Sequence, residues 1–340
     1  NLEAYEGMVV RFAQGLVINE FYQYGRYGEL VLGSKRIFNP TNVVLPGDPA
    51  RAMQAANDLD RIMLEDGNTA ENPEYLPHPG GGRFCYGELV GAVADCPSTN
   101  IFRGGDTLTN LTGVVDFAFG QYKVIKTQPA TYTATNPRTE APDLVAGELR
   151  VSSINTLNYF MTLTSAGSKC GPAGNAGCRG ADDETERLRQ RAKTVAAVTG
   201  MASDVTGLLE IENDSPDQAA ALGADYAIAD IVDGLNAIAG AGTYDYIPTG
   251  AIGTDVIKAG ILYKPARVTP VGNPAYLTKA VDDTFIDACN RPVLAQTFQD
   301  NITGEKFTFA VNHLKSKGSA CSASLNSALD QDLGDGQSFS

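Results

Sequence analysis

The sequence has 340 residues, a net charge of −14 and an apolar fraction of 43%, with 36 glycines, 17 prolines, six cysteines and two histidines. This length carries two domains, the glycine and proline content excludes a simple helical bundle, and no apolar run reaches the about 20 residues that a bilayer span requires. The acidity excludes wrapping of nucleic acid by bulk attraction, though not phosphate chemistry in which a metal supplies local positive charge, and it suits a protein kept soluble after secretion.

The chain opens at Asn1 without Met and without a signal peptide, which reads as a mature or trimmed form of something longer. Strands are predicted at Met8–Phe12, Leu16–Ile18 and Gly28–Gly33. A turn-rich insertion over about 34–104 holds Pro40-Thr-Asn42, a short helix near 49–63 and Gly80-Gly-Gly82. Strands resume at Gly105–Leu108, Gly113–Phe119 and Tyr122–Lys126. Short strands broken by loops predict a small β-barrel of the OB type over 1–127. Its aromatics Phe21, Tyr22, Tyr24 and Tyr27 could stack on single-stranded bases or equally form core or scaffold surface. Thr127–Asp143, with Pro129, Pro137 and Pro142, reads as the start of a linker over 128–147.

From 148 the pattern changes. Leu149–Asn155 is a predicted strand, followed by a glycine-rich loop holding Cys170 and Cys178. Asp182 or Asp183 caps a helix with Leu188, Ala192, Val195 and Ala196 on one apolar face. A strand at Val205–Ile211, a helix over 216–238 and strands near 244–247, 256–263, 294–299 and 306–312 follow. A βαβαβ opening that runs into several strands predicts a mixed α/β sheet with helices outside. The cysteines form three local groups: Cys85 with Cys96, Cys170 with Cys178, and Cys289 with Cys321. None sits in a C-x-x-C pair, so zinc is not indicated, and three disulfides would imply an oxidising compartment. Six cysteines allow 15 pairings, and reduced thiols remain the alternative.

Three strand ends carry polar residues: Asn155, Glu210 and His313. The run Phe307-Thr-Phe-Ala-Val-Asn-His-Leu-Lys-Ser-Lys317 ends a strand in an imidazole flanked by Lys315 and Lys317. Histidine suits proton transfer near neutrality, and the lysines suit phosphate. A carboxylate inside the apolar run Leu208-Leu209-Glu210-Ile211 is costly to bury unless a cation meets it. The same alternation fits an edge strand whose Glu210 and Glu212 share a water-facing side.

Five segments in order carry a resemblance: Arg150–Phe160; Arg179-Gly-Ala with Arg189-Gln190 and Lys193; Asp204–Asn213; Gly253–Lys258 before Ile261–Pro265; and Arg291-Pro before Val311–Gly318. Together they resemble the endonuclease/exonuclease/phosphatase superfamily, most closely its large extracellular nucleases of the ExeM/NucH type. The resemblance implies a DNase I-like α/β (α+β) four-layer sandwich over 148–340, preceded by the OB-like domain. It also implies roles. Glu210 holds a divalent cation, with Asn155 beside it orienting metal or phosphate. His313 handles protons at the scissile phosphate, and Asp255 lies where a partner for the histidine sits. Arg291 contacts phosphate, joined by Arg179 and Lys315. The cation is Mg²⁺ first, with Mn²⁺ or Ca²⁺ as alternatives. The family pattern continues past Gly334-Asp-Gly-Gln337 with an Asp-x-Asn motif and an Asp-His pair that this sequence lacks. The expectation is therefore a half-domain with an incomplete centre and exposed apolar surface.

The functional expectation is a secreted or cell-surface, metal-dependent endonuclease that meets DNA or RNA through the phosphate backbone. No stable protein partner is expected, and a membrane anchor outside the given sequence stays open. The alternatives are a phosphatase or phosphodiesterase of the same superfamily, and a non-catalytic nucleic-acid-binding or surface fragment.

Overall fold

The structure, a computed structural model, describes residues 2–85, 100–143, 145–287 and 289–315. It contains two compact units, the first over Asn1–Thr139 and the second from Glu140. Among the described residues no helix is long and apolar enough to cross a membrane.

In the first unit eight strands form one sheet: β1 (Val9–Arg11), β2 (Leu16–Glu20), β3 (Leu30–Gly33), β4 (Ile62–Glu65), β5 (Thr107–Thr109), β6 (Thr112–Ala118), β7 (Gln121–Lys126) and β8 (Thr131–Thr133). They lie in the order β1-β6-β7-β4-β3-β2-β5-β8. The short helices α1 (Tyr24–Tyr27) and α2 (Asp48–Leu59) sit in the connections. Alternation along β2 buries Leu16 and Ile18, which join Leu30, Leu32, Leu64 and Leu108 in one core. The described ladder runs between two ends, β1 and β8, that do not pair with each other, so closure into an OB-type barrel is not shown. Two expectations are corrected. Ile62 and Met63, read as the end of a helix, instead open the strand β4 inside the sheet, paired antiparallel to β3 and parallel to β7. Thr131–Thr133, placed in the linker, pairs with β5 as β8.

In the second unit the described residues form two sheets. A four-stranded one has the order β11-β12-β10-β9, with β9 (Val151–Tyr159), β10 (Val205–Glu212), β11 (Asp245–Tyr246) and β12 (Ile257–Tyr263). A three-stranded one has the order β13-β14-β15, with β13 (Val268–Leu277), β14 (Val293–Asp300) and β15 (Lys306–Val311). β9 and β10 are parallel and joined through α3 (Glu184–Met201), a βαβ unit. Two further helices, α4 (Pro216–Leu222) and α5 (Tyr226–Ala239), follow β10. Ile228, Ile231 and Leu235 of α5 and Val195 and Val198 of α3 pack on Leu208 and Ile211 of β10. On the opposite face Val205, Ala259 and Ile261 meet Leu294, Phe298 and Val311 of the second sheet. Helices, sheet and sheet make three layers among the described residues.

The two sheets approach closely at Gly207. A Cβ there would lie 2.8 Å from Cγ2 of Val311 and 3.3 Å from the ring of Phe309, so only glycine lets β15 settle across β10.

Local expectations are corrected in three places. Asp183 does cap α3, accepting from the Glu186 N–H at 2.8 Å. Its inward face, however, carries Arg187, Thr194, Val195 and Val198, while Leu188 is exposed. The rotation arises because Arg187 and Arg191 both reach Asp230 of α5. The helix expected over 216–238 is two helices, broken at Gly223 and at Asp225, which has a left-handed φ of 60°. β13 was missed because Pro270 and Pro274 argue against a strand; among the described residues it pairs only with β14, and its register shifts between Val271 and Ala275. Cys170 and Cys178 are bonded to each other, and Cys85 and Cys289 are also disulfide-bonded. Cys96 and Cys321 lie outside the described residues.

Candidate active site

The site forms where β9, β10 and β15 end, and a bulge makes it. Leu209 of β10 faces Asn155 of β9, but Ile211 faces Tyr159, so Glu210 alone spans the stretch that three residues of β9 cover. Against β12 the excess is reversed: Leu208 faces Gly260 and Ile211 faces Lys258, so there β10 carries one extra residue. Leu157, Asn158 and Glu210 all adopt left-handed φ values, 56°, 53° and 63°. Such conformations cost about 1–3 kcal/mol each for residues other than glycine and persist where the surroundings enforce them. Here Thr156 donates its hydroxyl to the Leu209 carbonyl at 2.8 Å, and the Leu157 N–H donates to Oδ1 of Asn155 at 2.8 Å. The Gln190 amide of α3 donates to the carbonyls of Thr156 (2.9 Å) and Leu157 (2.7 Å).

The bulge also breaks the two-residue alternation, which overturns the reading of Glu210 and Glu212 as a shared water-facing pair. Glu212 is wholly buried and accepts from the N–H groups of Met161 (2.7 Å) and Thr162 (3.1 Å). Burial pushes its pKa up. Glu210 instead turns to the strand ends. Its Oε1 accepts from Nδ2 of Asn155 at 2.8 Å, and its Oε2 accepts from the N–H of Asn158 at 3.1 Å. Nε2 of His313 lies 3.6 Å from the same Oε1. His313 is the only residue that ion-pair geometry offers Glu210 among the described residues. Nδ1 of His313 is buried and without a hydrogen-bond partner among them. Burial first, and then the charge of Arg291, hold the His313 pKa below the ordinary histidine value, against the opposing pull of Glu210 and Asp255.

The cationic side of the site is separate. Nε of Arg291 donates to Oδ2 of Asp255 at 3.0 Å, and Nη1 of Arg179 lies 3.7 Å from Oδ1 of the same carboxylate. Asp255 thus pairs with two arginines, and it reaches His313 by charge and not by a hydrogen bond among the described residues. Lys315 follows His313 by two residues on the coil leaving β15, and Lys317 lies outside the described residues.

Asp255 ends a loop fixed from inside. Asn213 donates to the carbonyls of Ile252 (2.7 Å) and Asp255 (2.8 Å) and accepts from the Ile252 N–H. Asp225 accepts from the N–H groups of Thr249 and Gly250, both at 2.9 Å. The ammonium of Lys258, only 2% exposed, lies 2.6 Å from Asp225 and 3.1 Å from Asp214, and donates to the Gly250 carbonyl. Asn158, Asp214, Asp225 and the inward turn of Gln190 had no assigned part in the sequence reading. The left-handed Leu157-Asn158 pair left one sequence trace, since asparagine tolerates that conformation better than most residues.

A domain of unknown function (DUF8508) matches residues 1–136. No curated protein matches the chain. Among solved structures it is similar to an endonuclease/exonuclease/phosphatase family protein from Bacteroides thetaiotaomicron, at 17% identity over 50% of this chain and 52% of that one, with a TM-score of 0.29. It is also similar to the human Nocturnin catalytic domain with bound sulfate anion, at 17% identity over 40% of this chain and 45% of that one, with a TM-score of 0.26. The chain spans about half the length of these structures.

Proposed function

We propose that the unit from Glu140 is a metal-dependent phosphodiesterase that hydrolyses the backbone of DNA, with RNA as a second substrate, as a secreted endonuclease with little sequence specificity. The observation that carries this reading is the convergence of Asn155 and His313, from two other strand ends, on one carboxylate oxygen of Glu210, beside two arginines that share Asp255.

Glu210 is a largely buried carboxylate whose one ion-pair neighbour among the described residues is His313, an imidazole whose pKa burial holds below the ordinary value. That donor set fits a hard cation. Among the described residues no group of three or more His, Cys, Asp or Glu side chains could hold a metal. Mg²⁺ does not demand one, since it keeps several waters and takes one or two carboxylates plus substrate phosphates. When bound, it relieves charge on the phosphoryl oxygens and activates water. Glu210 would hold the ion, and Asn155 holds Glu210, its amide nitrogen on the carboxylate and its oxygen on the Leu157 N–H. His313, neutral and half-buried, accepts or returns a proton at the phosphate. Arg291 and Arg179 contact phosphate oxygens, which positions the strand without reading its sequence.

The disulfides support an oxidising, extracellular setting. In the first unit Tyr22 and Phe21 remain available for base stacking, whereas Tyr24 is buried in the core.

The test is plasmid cleavage in Mg²⁺ or Mn²⁺, with an EDTA control and the His313→Ala variant. Cleavage that needs both metal and His313 supports the reading. Cleavage indifferent to either, or no hydrolysis of any phosphodiester, overturns it.

A further inference from the structure

An open groove of about 370 Å³ lies between the Leu157-Asn158 turn and α3. One wall is Asn158, whose N–H donates to Glu210, so the groove begins at the site itself. The other wall is α3, where Glu186, Arg189, Gln190 and Lys193 stand at helical spacing on one face. Arg179, 3.7 Å from Asp255, also lines the groove. Three cations therefore meet in one concavity of a protein whose net charge is −14. Among the described residues the one carboxylate that lines the groove is Glu186, whose Oε2 accepts from the Asp182 N–H at the start of α3 at 2.8 Å. A concave wall on which cations outnumber carboxylates concentrates anions.

We propose that this groove is a second phosphate subsite, which holds a phosphate of the nucleic-acid strand away from the bond being cut. The inference rests on the phosphodiesterase reading of the adjacent site and gives its polynucleotide substrate a second point of attachment. A small phosphoester would fill only the strand-end site and gain nothing from Lys193. Arg189 and Lys193, one helical turn apart on α3, both line the groove.

The test is the fluorescence anisotropy of a short labelled single strand titrated with the protein in EDTA, at several salt concentrations. The wild type is compared with Lys193→Ala, Arg189→Ala and the control Lys306→Ala, at the other end of β15 from His313. Hydrolysis of bis(p-nitrophenyl) phosphate in Mg²⁺ is measured on the same proteins. Both groove variants should weaken binding several-fold and flatten the slope of log affinity against log salt by about 0.7 for each lost phosphate contact. Hydrolysis of the small diester should be unchanged, and Lys306→Ala should alter neither quantity. Unchanged binding and slope in both groove variants would overturn the subsite; if the small diester were still cut, the reading of the adjacent site would stand. Groove-dependent binding without any hydrolysis by the wild type would remove the catalytic reading and keep the subsite. Equal loss of binding and small-diester hydrolysis in the groove variants would also count against the subsite, because the groove would then serve the active centre and not a remote phosphate.

Discussion

His313 reaches the same oxygen of Glu210 that Asn155 already holds: Nε2 of the imidazole is 3.6 Å from Oε1, and the amide nitrogen is 2.8 Å from it. The carboxylate is therefore the pivot of the arrangement, and a change at any of the three positions alters the surroundings of the other two.

Removing the pivot should be costly. His313→Ala should lower phosphodiester hydrolysis by about 10²–10⁴-fold, the range of a positioned proton-transfer group, and Glu210→Gln, which loosens the hold on the cation, should also lower it, both with thermal stability near wild type. Glu210→Gln should also raise the Mg²⁺ concentration needed for half-maximal rate, and His313→Ala should not. A metal titration of both variants decides this. Equal metal requirements would remove Glu210 from the cation.

The pH dependence follows from the depressed pKa of His313. The ordinary value is 6.5, and burial followed by Arg291 lowers it, so the acid limb of kcat/KM should fall below pH 6.5. Arg291→Gln deletes a lowering charge and leaves Glu210 and Asp255 to raise the pKa, so the limb should move to higher pH. Stability carries the same sign. The unfolded chain takes up the proton first, so the contribution of neutral His313 is whole above pH 6.5 and is lost as pH falls towards the folded pKa. His313→Gln should flatten that part of the stability profile. An acid limb above 6.5, or one that ignores Arg291→Gln, contradicts this assignment.

Lys258→Met would leave Asp214 and Asp225 buried and facing each other without their cation. Breaking a buried ion pair from one side costs about 3–5 kcal/mol. Urea denaturation should show a loss of this size. A loss below about 1 kcal/mol would mean that water or a neighbour already screens the two carboxylates.

The Cys170–Cys178 bridge closes a loop with a sequence separation of eight, immediately before Arg179. Replacing both cysteines by serine should cost about 2–3 kcal/mol by loop entropy. Because Arg179 is the first residue after the loop, KM for a polynucleotide should rise more than kcat falls. A larger fall in kcat than rise in KM would place the loop's influence on the catalytic groups instead.

The strand ends were legible because polar residues interrupt apolar alternation at Asn155, Glu210 and His313, and the three do meet. The orientation of Glu210 was not, because two-residue alternation cannot register an inserted residue; the bulge that separates Glu210 from Glu212 is a property of the pairing with β9 and β12. The face of α3 was misread for a related reason. Charged Arg187 points inward to meet Asp230, a partner on α5 that the helix's own pattern cannot reveal. β4 was lost because four residues, Ile62–Glu65, follow α2 with little punctuation, and β13 because its prolines are tolerated only on a strand paired on one side. The barrel expectation for the first unit rested on strand number and spacing, which do not specify whether a sheet closes.

The loop ending in Asp255 is tied down by Asn213, Asp225 and Lys258, none of which faces the cleft where phosphate would lie. A search for inactive variants will therefore return interior substitutions alongside those at the strand ends. They will present as proteins that fold yet hold their substrate poorly, since what has moved is the carboxylate on which both arginines are aligned.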